Sequence, residues 1–193
     1  MQEKNTPVPN ADRRAAMRAR LIAAARALFV DKGYAETSTP EIVRAAEVTR
    51  GALYHHFTDK ADLFRAVVEA EAEALARRID AEAVDAGAEA MAAGSAAFFR
   101  AMSEPGRARL LLIDGPAVLG PEEMSRIDAG GGRASLRAGL DLVVGGVDED
   151  EMRALAEVLS AAFDRAALSI AQGSKAAPFE RAMERLVAGL GRR

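Results

Sequence analysis

The order of residues from Thr37 to Phe57, TSTPEIVRAAEVTRGALYHHF, leaves room for little except two short helices joined by a tight turn. The first helix is announced twice. Ser38 with Glu41 three residues on can form a capping box, and Thr39 can equally cap a helix with Pro40 in its first position, where a missing N–H is harmless. Both registers stand on the sequence. Ile42, Val43, Ala45 and Ala46 supply an apolar face, Glu47 and Val48 make the turn, and Thr49 is a good N-cap for a second helix ending near Phe57.

Set out at about 100° per residue, the second helix turns Leu53 to a core, with Phe57 and, less squarely, Arg50 and His56 toward that side. Gly51 and His55 then point away, flanked by Tyr54 and Ala52. A mid-helix glycine is less favourable than alanine by about 1 kcal/mol, so an outward Gly51 needs a reason beyond the helix. A missing side chain lets another surface come close to the backbone, as the wall of a DNA groove would. Around the gap stand the Tyr54 phenol, the His55 imidazole, the Arg50 guanidinium, able to bond guanine through two N–H groups, and the free N–H groups of the helix start at Thr49, which suit a phosphate. Lys60 falls in the first turn of the next helix, which Asp59 caps. A cation at that end opposes the macrodipole, which points to an external anion as its partner.

At these positions the chain resembles the TetR (tetracycline-repressor) family of bacterial transcriptional regulators. The signature stands here as Gly33-Tyr34, Thr37, Ile42, Val48-Thr49, then Gly51 to Phe57, Lys60 and Leu63-Phe64, and it covers roughly residues 13 to 68. The resemblance implies an all-α chain with a three-helix helix-turn-helix DNA-binding head and a larger helical body for ligand binding and dimerisation. It implies that Thr39, Thr49, Tyr54, His55 and Lys60 hold DNA phosphates while Arg50, Gly51 and Ala52 face base edges. One departure is Glu47, where the family's turn usually carries glycine; a left-handed residue other than glycine costs about 1–2 kcal/mol.

The 193 residues contain no cysteine, which removes disulfides and thiolate metal sites, and half are apolar, enough for a full core. No apolar run approaches the length of a membrane span and the N-terminus has no signal-peptide core, so a cytoplasmic protein is expected. The net charge of −3 is unevenly spread: residues 1–66 carry 11 Lys and Arg against 8 Asp and Glu, residues 67–193 carry 15 against 21. A mildly basic head on an acidic body suits local phosphate contact and not the wrapping of DNA.

Residues 1–11, with Pro7 and Pro9, read as a disordered arm, 12–66 as the DNA-binding domain and 67–193 as the ligand-binding and dimerisation domain. Arg13, Arg14, Arg18 and Arg20 open the first helix as either a solvated face or phosphate contacts. A long Ala/Glu/Arg helix from Glu69 is expected to be interrupted at Gly87 and Gly94, a short helix from Arg107 to stop at Asp114-Gly115-Pro116, and Gly130 to Gly132 to be the most flexible point. Two amphipathic helices close the chain, the first capped by Asp148 and Glu151, the second following Pro178. On pattern alone their stripes fit core or interface equally. Because one short recognition helix contacts few bases, and two heads about 34–36 Å apart would solve that, Leu155, Leu159, Ala162, Phe163, Ala166, Phe179, Met183 and Leu186 are assigned to a homodimer interface. In the TetR family the last two helices commonly pair across a two-fold axis.

No Gly-rich phosphate loop or metal-spaced cluster occurs, and adjacent His55 and His56 cannot chelate one metal from a helix, so neither enzyme activity, cofactor nor metal is expected. His56 reads as a structural residue. Asp114 reads as a turn former rather than a pocket group. An effector pocket is expected in the Gly/Pro-broken body around Met91, Phe98, Phe99, Met102, Leu111 and Met124, with Arg100 and Arg109 as the nearby charges. The function expected is that of a ligand-responsive regulator of transcription: a repressor that binds a palindromic double-stranded DNA operator as a homodimer, has no membrane partner, and is released by a small, mainly apolar molecule. The alternative is a helical protein-interaction module whose head no longer binds DNA.

Overall fold

The computed structural model describes residues 10–86 and 89–190, and among these there is no strand. The chain forms two compact units, Met1–Val67 and Val68–Arg193. Most of the expected N-terminal arm, residues 1–9, lies outside the described residues, while residues 10 and 11 already belong to the first helix.

The head contains α1 (Asn10–Lys32), α2 (Thr39–Ala45), α3 (Arg50–His56) and the first residues of α4 (Lys60–Asp85). Leu21, Ala25 and Phe29 recur every four residues on α1 and are fully buried with Ile42, Leu53, Leu63 and Phe64. Each large side chain in such a core is worth about 1.5–3 kcal/mol of burial. Phe64 anchors an aromatic cluster, edge-on to Phe29 at 5.1 Å and to Tyr34 at 4.9 Å. Thr37, buried, donates its hydroxyl to the Gly33 carbonyl at 2.8 Å and ties the loop after α1 to that helix's end.

The two registers for α2 resolve in favour of Ser38 as N-cap. Glu41 accepts from the Ser38 N–H at 3.0 Å and hydroxyl at 2.8 Å, leaving Pro40 in the first turn, where no N–H is missed. The helix ends in a Schellman turn: Glu47 N–H bonds the Arg44 carbonyl and Val48 N–H bonds the Val43 carbonyl, both at 3.1 Å. Glu47 takes the left-handed conformation with φ 52°, so the turn keeps the shape glycine would give it.

The body contains the rest of α4, then α5 (Ala90–Met102), α6 (Arg107–Arg109), a π-helical turn (Leu110–Asp114), α7 (Gly115–Leu119), α8 (Pro121–Ala129), α9 (Gly132–Val143), α10 (Glu149–Ala171) and α11 (Ala176–Leu190). Helix α9 packs between α5, α8 and α10, and α11 packs on α5 and α10. A buried ion pair, Arg107 Nε to Glu71 Oε2 at 2.8 Å, joins α6 to α4, and Arg107 also donates to the Ala101 carbonyl at 2.8 Å. With both charges fully engaged the pair is tolerated; removing one partner would strand the other.

Two expected breaks are not breaks. Gly94 lies inside α5, where a Cβ would sit 3.4 Å from Ile79 Cγ2, so the glycine serves close approach to α4; Gly87 lies outside the described residues. Asp114-Gly115-Pro116 does not stop the helix. The Gly115 N–H reaches back five residues to Leu110, and Pro116, in the first turn of α7, misses no partner. Gly131, expected to be the flexible point, is buried, with the position of a Cβ 3.4 Å from the Ile127 carbonyl and 3.6 Å from Ala72.

Helix α10 is capped by Asp148, which accepts from Glu151 N–H at 2.8 Å. Part of the expected interface is instead core of the single chain. Leu159, Phe163, Ala166 and Met183 are buried within it, Phe163 by stacking 5.1 Å from Phe98 and 5.7 Å from Phe99. An apolar stripe fits either role, and here intrachain packing claims these four. Leu155, Ala162 and Phe179 are half-buried, and Leu186, with Val158 one helix away, is exposed.

Candidate nucleic-acid interface and effector cavity

Helix α3 is held from below by Leu53 and Phe57, both buried, and at its start by Thr49, whose hydroxyl accepts from Ala52 N–H at 3.1 Å. That leaves Arg50, Gly51, Tyr54 and His55 exposed, with Ala52 partly so. A Cβ on Gly51 would meet nothing nearer than Thr49 Oγ1 at 3.9 Å, so no crowding inside the head calls for glycine. Tyr54 is bridged to its neighbours: hydrogen bonds from Thr39 and then Arg50 hold its phenol below the usual pKa, and the Arg50 guanidinium lies 5.5 Å from its ring centroid. Thr39 from the start of α2 and Arg50 and Tyr54 from α3 thus form one polar cluster beside the bare backbone of Gly51.

Lys60 departs from its sequence reading. Its ammonium donates to the carbonyls of Tyr34 and Thr37, both at 3.0 Å, and sits 4.2 Å from the Tyr34 ring centroid. An external anion is therefore not needed to explain a cation at the positive end of α4; the loop before α2 supplies the partners. Of the α1 arginines, Arg20 caps α2 by donating to the Ala46 carbonyl at 2.6 Å, and Arg18 lies over the Phe57 ring at 5.3 Å. Arg13 and Arg14 are exposed. Partial burial, with His55, Arg14 and Arg18 nearby, lowers the pKa of His56, which fits its structural reading.

The body holds a partly open cavity of about 680 Å³, within the usual range of about 300–1,000 Å³ for small-molecule sites. Met91, Phe98, Met102, Leu111 and Met124 line it as expected. Phe99 does not; its ring is turned to Phe163 and to a smaller pocket bordered by Ser103 and Ala167. Arg100 and Arg109 do not line it either, being paired with Glu82 and Asp114. The polar groups on the wall include Asp128 of α8, Arg133 of α9, and Ser160 and Asp164 of α10. Asp128 accepts from the Arg133 N–H at 3.3 Å and faces its Nε at 3.5 Å; burial raises its pKa, with Arg133 opposing. A signal for two of them was present: Ser160 and Asp164 stand four apart, directly beside the apolar stripe of α10. Among the described residues no three acids or histidines are gathered to hold a metal ion, and no helix is long and apolar enough to cross a membrane.

The family described as bacterial regulatory proteins, tetR family, matches residues 21–67, and tetracyclin repressor-like, C-terminal domain, matches residues 88–190, more than half of the chain. A crystal structure of a TetR-family transcriptional regulator from Pectobacterium atrosepticum is 32% identical in sequence, with a TM-score of 0.74 over 95% of this chain and 97% of that one. The transcriptional regulator AcuR of Cereibacter sphaeroides is 36% identical over 89 residues, 46% of this chain and 40% of the relative. The HTH-type transcriptional regulator AcrR of Shigella flexneri is 55% identical over 42 residues, 22% of this chain and 20% of the relative. The chain spans less than half the length of these last two, whereas the likeness to the crystal structure runs from end to end.

Proposed function

Because this chain belongs to the TetR family of bacterial transcriptional regulators, we propose that it represses transcription as a homodimer on a palindromic DNA operator and is released by a small, mainly apolar effector in the body cavity. The observation that carries the DNA reading is Gly51, exposed mid-helix with no internal neighbour that requires it. Arg50 and Ala52 beside it read base edges, while Thr39, Thr49, Tyr54, His55 and the spare ammonium proton of Lys60 grip phosphates. Lys60 does so while fixing the loop beneath it. The protein acts in the cytoplasm, where its operator is.

Two such heads reach successive half-sites when about 34–36 Å apart. The exposed Val158 of α10 and Leu186 of α11, flanked by Leu155, Ala162 and Phe179, supply the apolar surface through which two copies pair. Helix α4 is the link from cavity to head, since it begins at Lys60 and carries Ala72, Leu75 and Ile79 of the cavity wall. An effector that binds better to the dimer with its heads wrongly spaced for the operator weakens DNA binding by that difference in affinity and no more. No observation favours a protein-interaction module that has lost DNA binding, because the outward face of α3 is not occupied by the head itself.

The test is a gel-shift titration of the purified protein against the DNA flanking its own gene, at two salt concentrations, beside a random duplex. The flanking DNA should be bound more tightly, with affinity falling as salt rises, and a lipophilic ligand should release it. Equal binding of both duplexes at each salt would remove the regulator reading.

A further inference from the structure

One group on the cavity wall is left unexplained by every contact inside the chain. Asp164 forms no hydrogen bond or ion pair among the described residues, although it is half-buried on the wall. That burial, with the neighbouring Asp128 charge, pushes its carboxyl up to about 7. The charged groups around it do not relieve it. Arg133 is engaged by Asp128 and by the Ser125 carbonyl at 2.7 Å, while Arg165 and Asp80 are exposed at the edge of the cavity. An unpartnered, half-buried carboxylate on a mainly apolar wall is unfavourable, and a cation entering the cavity is what would offset it.

We propose that the cavity selects an organic cation, an apolar ring or chain carrying a protonated amine, with the ammonium held by Asp164 and Asp128 and the hydrocarbon lying against Phe98, Met102 and Leu136. This rests on the cavity being the effector site and adds the sign of the charge its occupant carries. Arg133 does not invert that sign, because its guanidinium is already committed to Asp128.

The chain has no tryptophan, so the fluorescence of a naphthalene probe reports binding without overlap from indole. Three probes of one shape separate the outcomes: naphthylethylamine, naphthylethanol and naphthylacetate. The amine should bind roughly tenfold or more tighter than the alcohol, as a charge-assisted hydrogen bond allows, with the acid weakest. Asp164→Asn should bring the amine to within about twofold of the alcohol and raise the melting temperature of the unliganded protein, since it removes a stranded charge. Asp128→Asn should also weaken the amine's advantage. If the alcohol binds the unaltered protein as tightly as the amine, or if the amine keeps its full advantage in both variants, the cation inference is overturned and the cavity stays an effector site. If none of the three binds, the effector reading of the cavity itself fails, and this inference fails with it.

Discussion

Lys60 in the head and Asp164 in the body both sit where local rules disfavour a charge, and they meet opposite fates. Lys60 stands at the positive end of α4, yet two carbonyls and the Tyr34 ring take it up. Asp164 stands on a largely apolar wall and no described residue takes it up. The difference teaches that an ill-placed residue signals an outside partner only after the inside partners have been counted. Gly51 belongs with Asp164 by that standard, because among the described residues nothing crowds the place of its missing side chain.

The comparison of core with surface is broken most forcefully at Phe163. Packed against Phe98 and Phe99, it should lose about 3–5 kcal/mol of stability on Phe163→Ala, the usual range for a buried aromatic. Denaturant melts at several protein concentrations check this: a loss confined to low concentration would return Phe163 to a subunit interface. Next in size are the two cations of the head. Arg50→Ala should weaken the right operator by about 1–3 kcal/mol and barely affect random DNA. Lys60→Met should instead lower the melting temperature as well as weakening all duplexes, because each charge-assisted bond to a carbonyl is worth about 1.5–3 kcal/mol. A Lys60→Met protein that melts like the parent would mean the carbonyl contacts contribute nothing.

The smallest effects are those of pH, and the two units should respond with opposite sign. Glu41, held by Lys32 and the Ser38 cap, has its pKa lowered from 4.5 to about 2, so its stabilisation is complete above pH 4.5 and fades as pH falls toward 2. Asp164, faced by Asp128, Arg133, Arg165 and Asp80, has its pKa raised from 3.8 to about 7, so stability is fullest below pH 3.8 and falls as pH rises through 7. Glu41→Gln should flatten the acid limb of a stability profile and Asp164→Asn the neutral limb. Identical profiles for parent and variants would contradict both assignments.

The head was legible because its determinants are contiguous. The cap, the turn and the outward wheel of α3 lie within 21 residues, and helical geometry converts that order directly into faces. The partners of Lys60 and Arg20 escaped, since they come from residues 23 to 26 positions away. The body was less legible because its cavity draws on six helices and the π-helical turn between two of them. Periodicity marked Phe98, Met102 and Leu111 as apolar and inward but said nothing of which side Phe99 would take. It also could not distinguish a glycine that ends a helix from one that lets two helices touch, which is why Gly94 reads as a break in the sequence.

The account turns on the open space at Gly51, and Gly51→Leu tests that space most directly. A Cβ there meets nothing nearer than Thr49 Oγ1 at 3.9 Å and the position is exposed, so the variant should fold and melt at or above the parent's temperature, helped by about 1 kcal/mol of helix propensity. Measured by fluorescence anisotropy on the operator duplex, its DNA binding should be lost. A well-folded Gly51→Leu protein that binds the operator as tightly as the parent would contradict the claim that this face meets DNA.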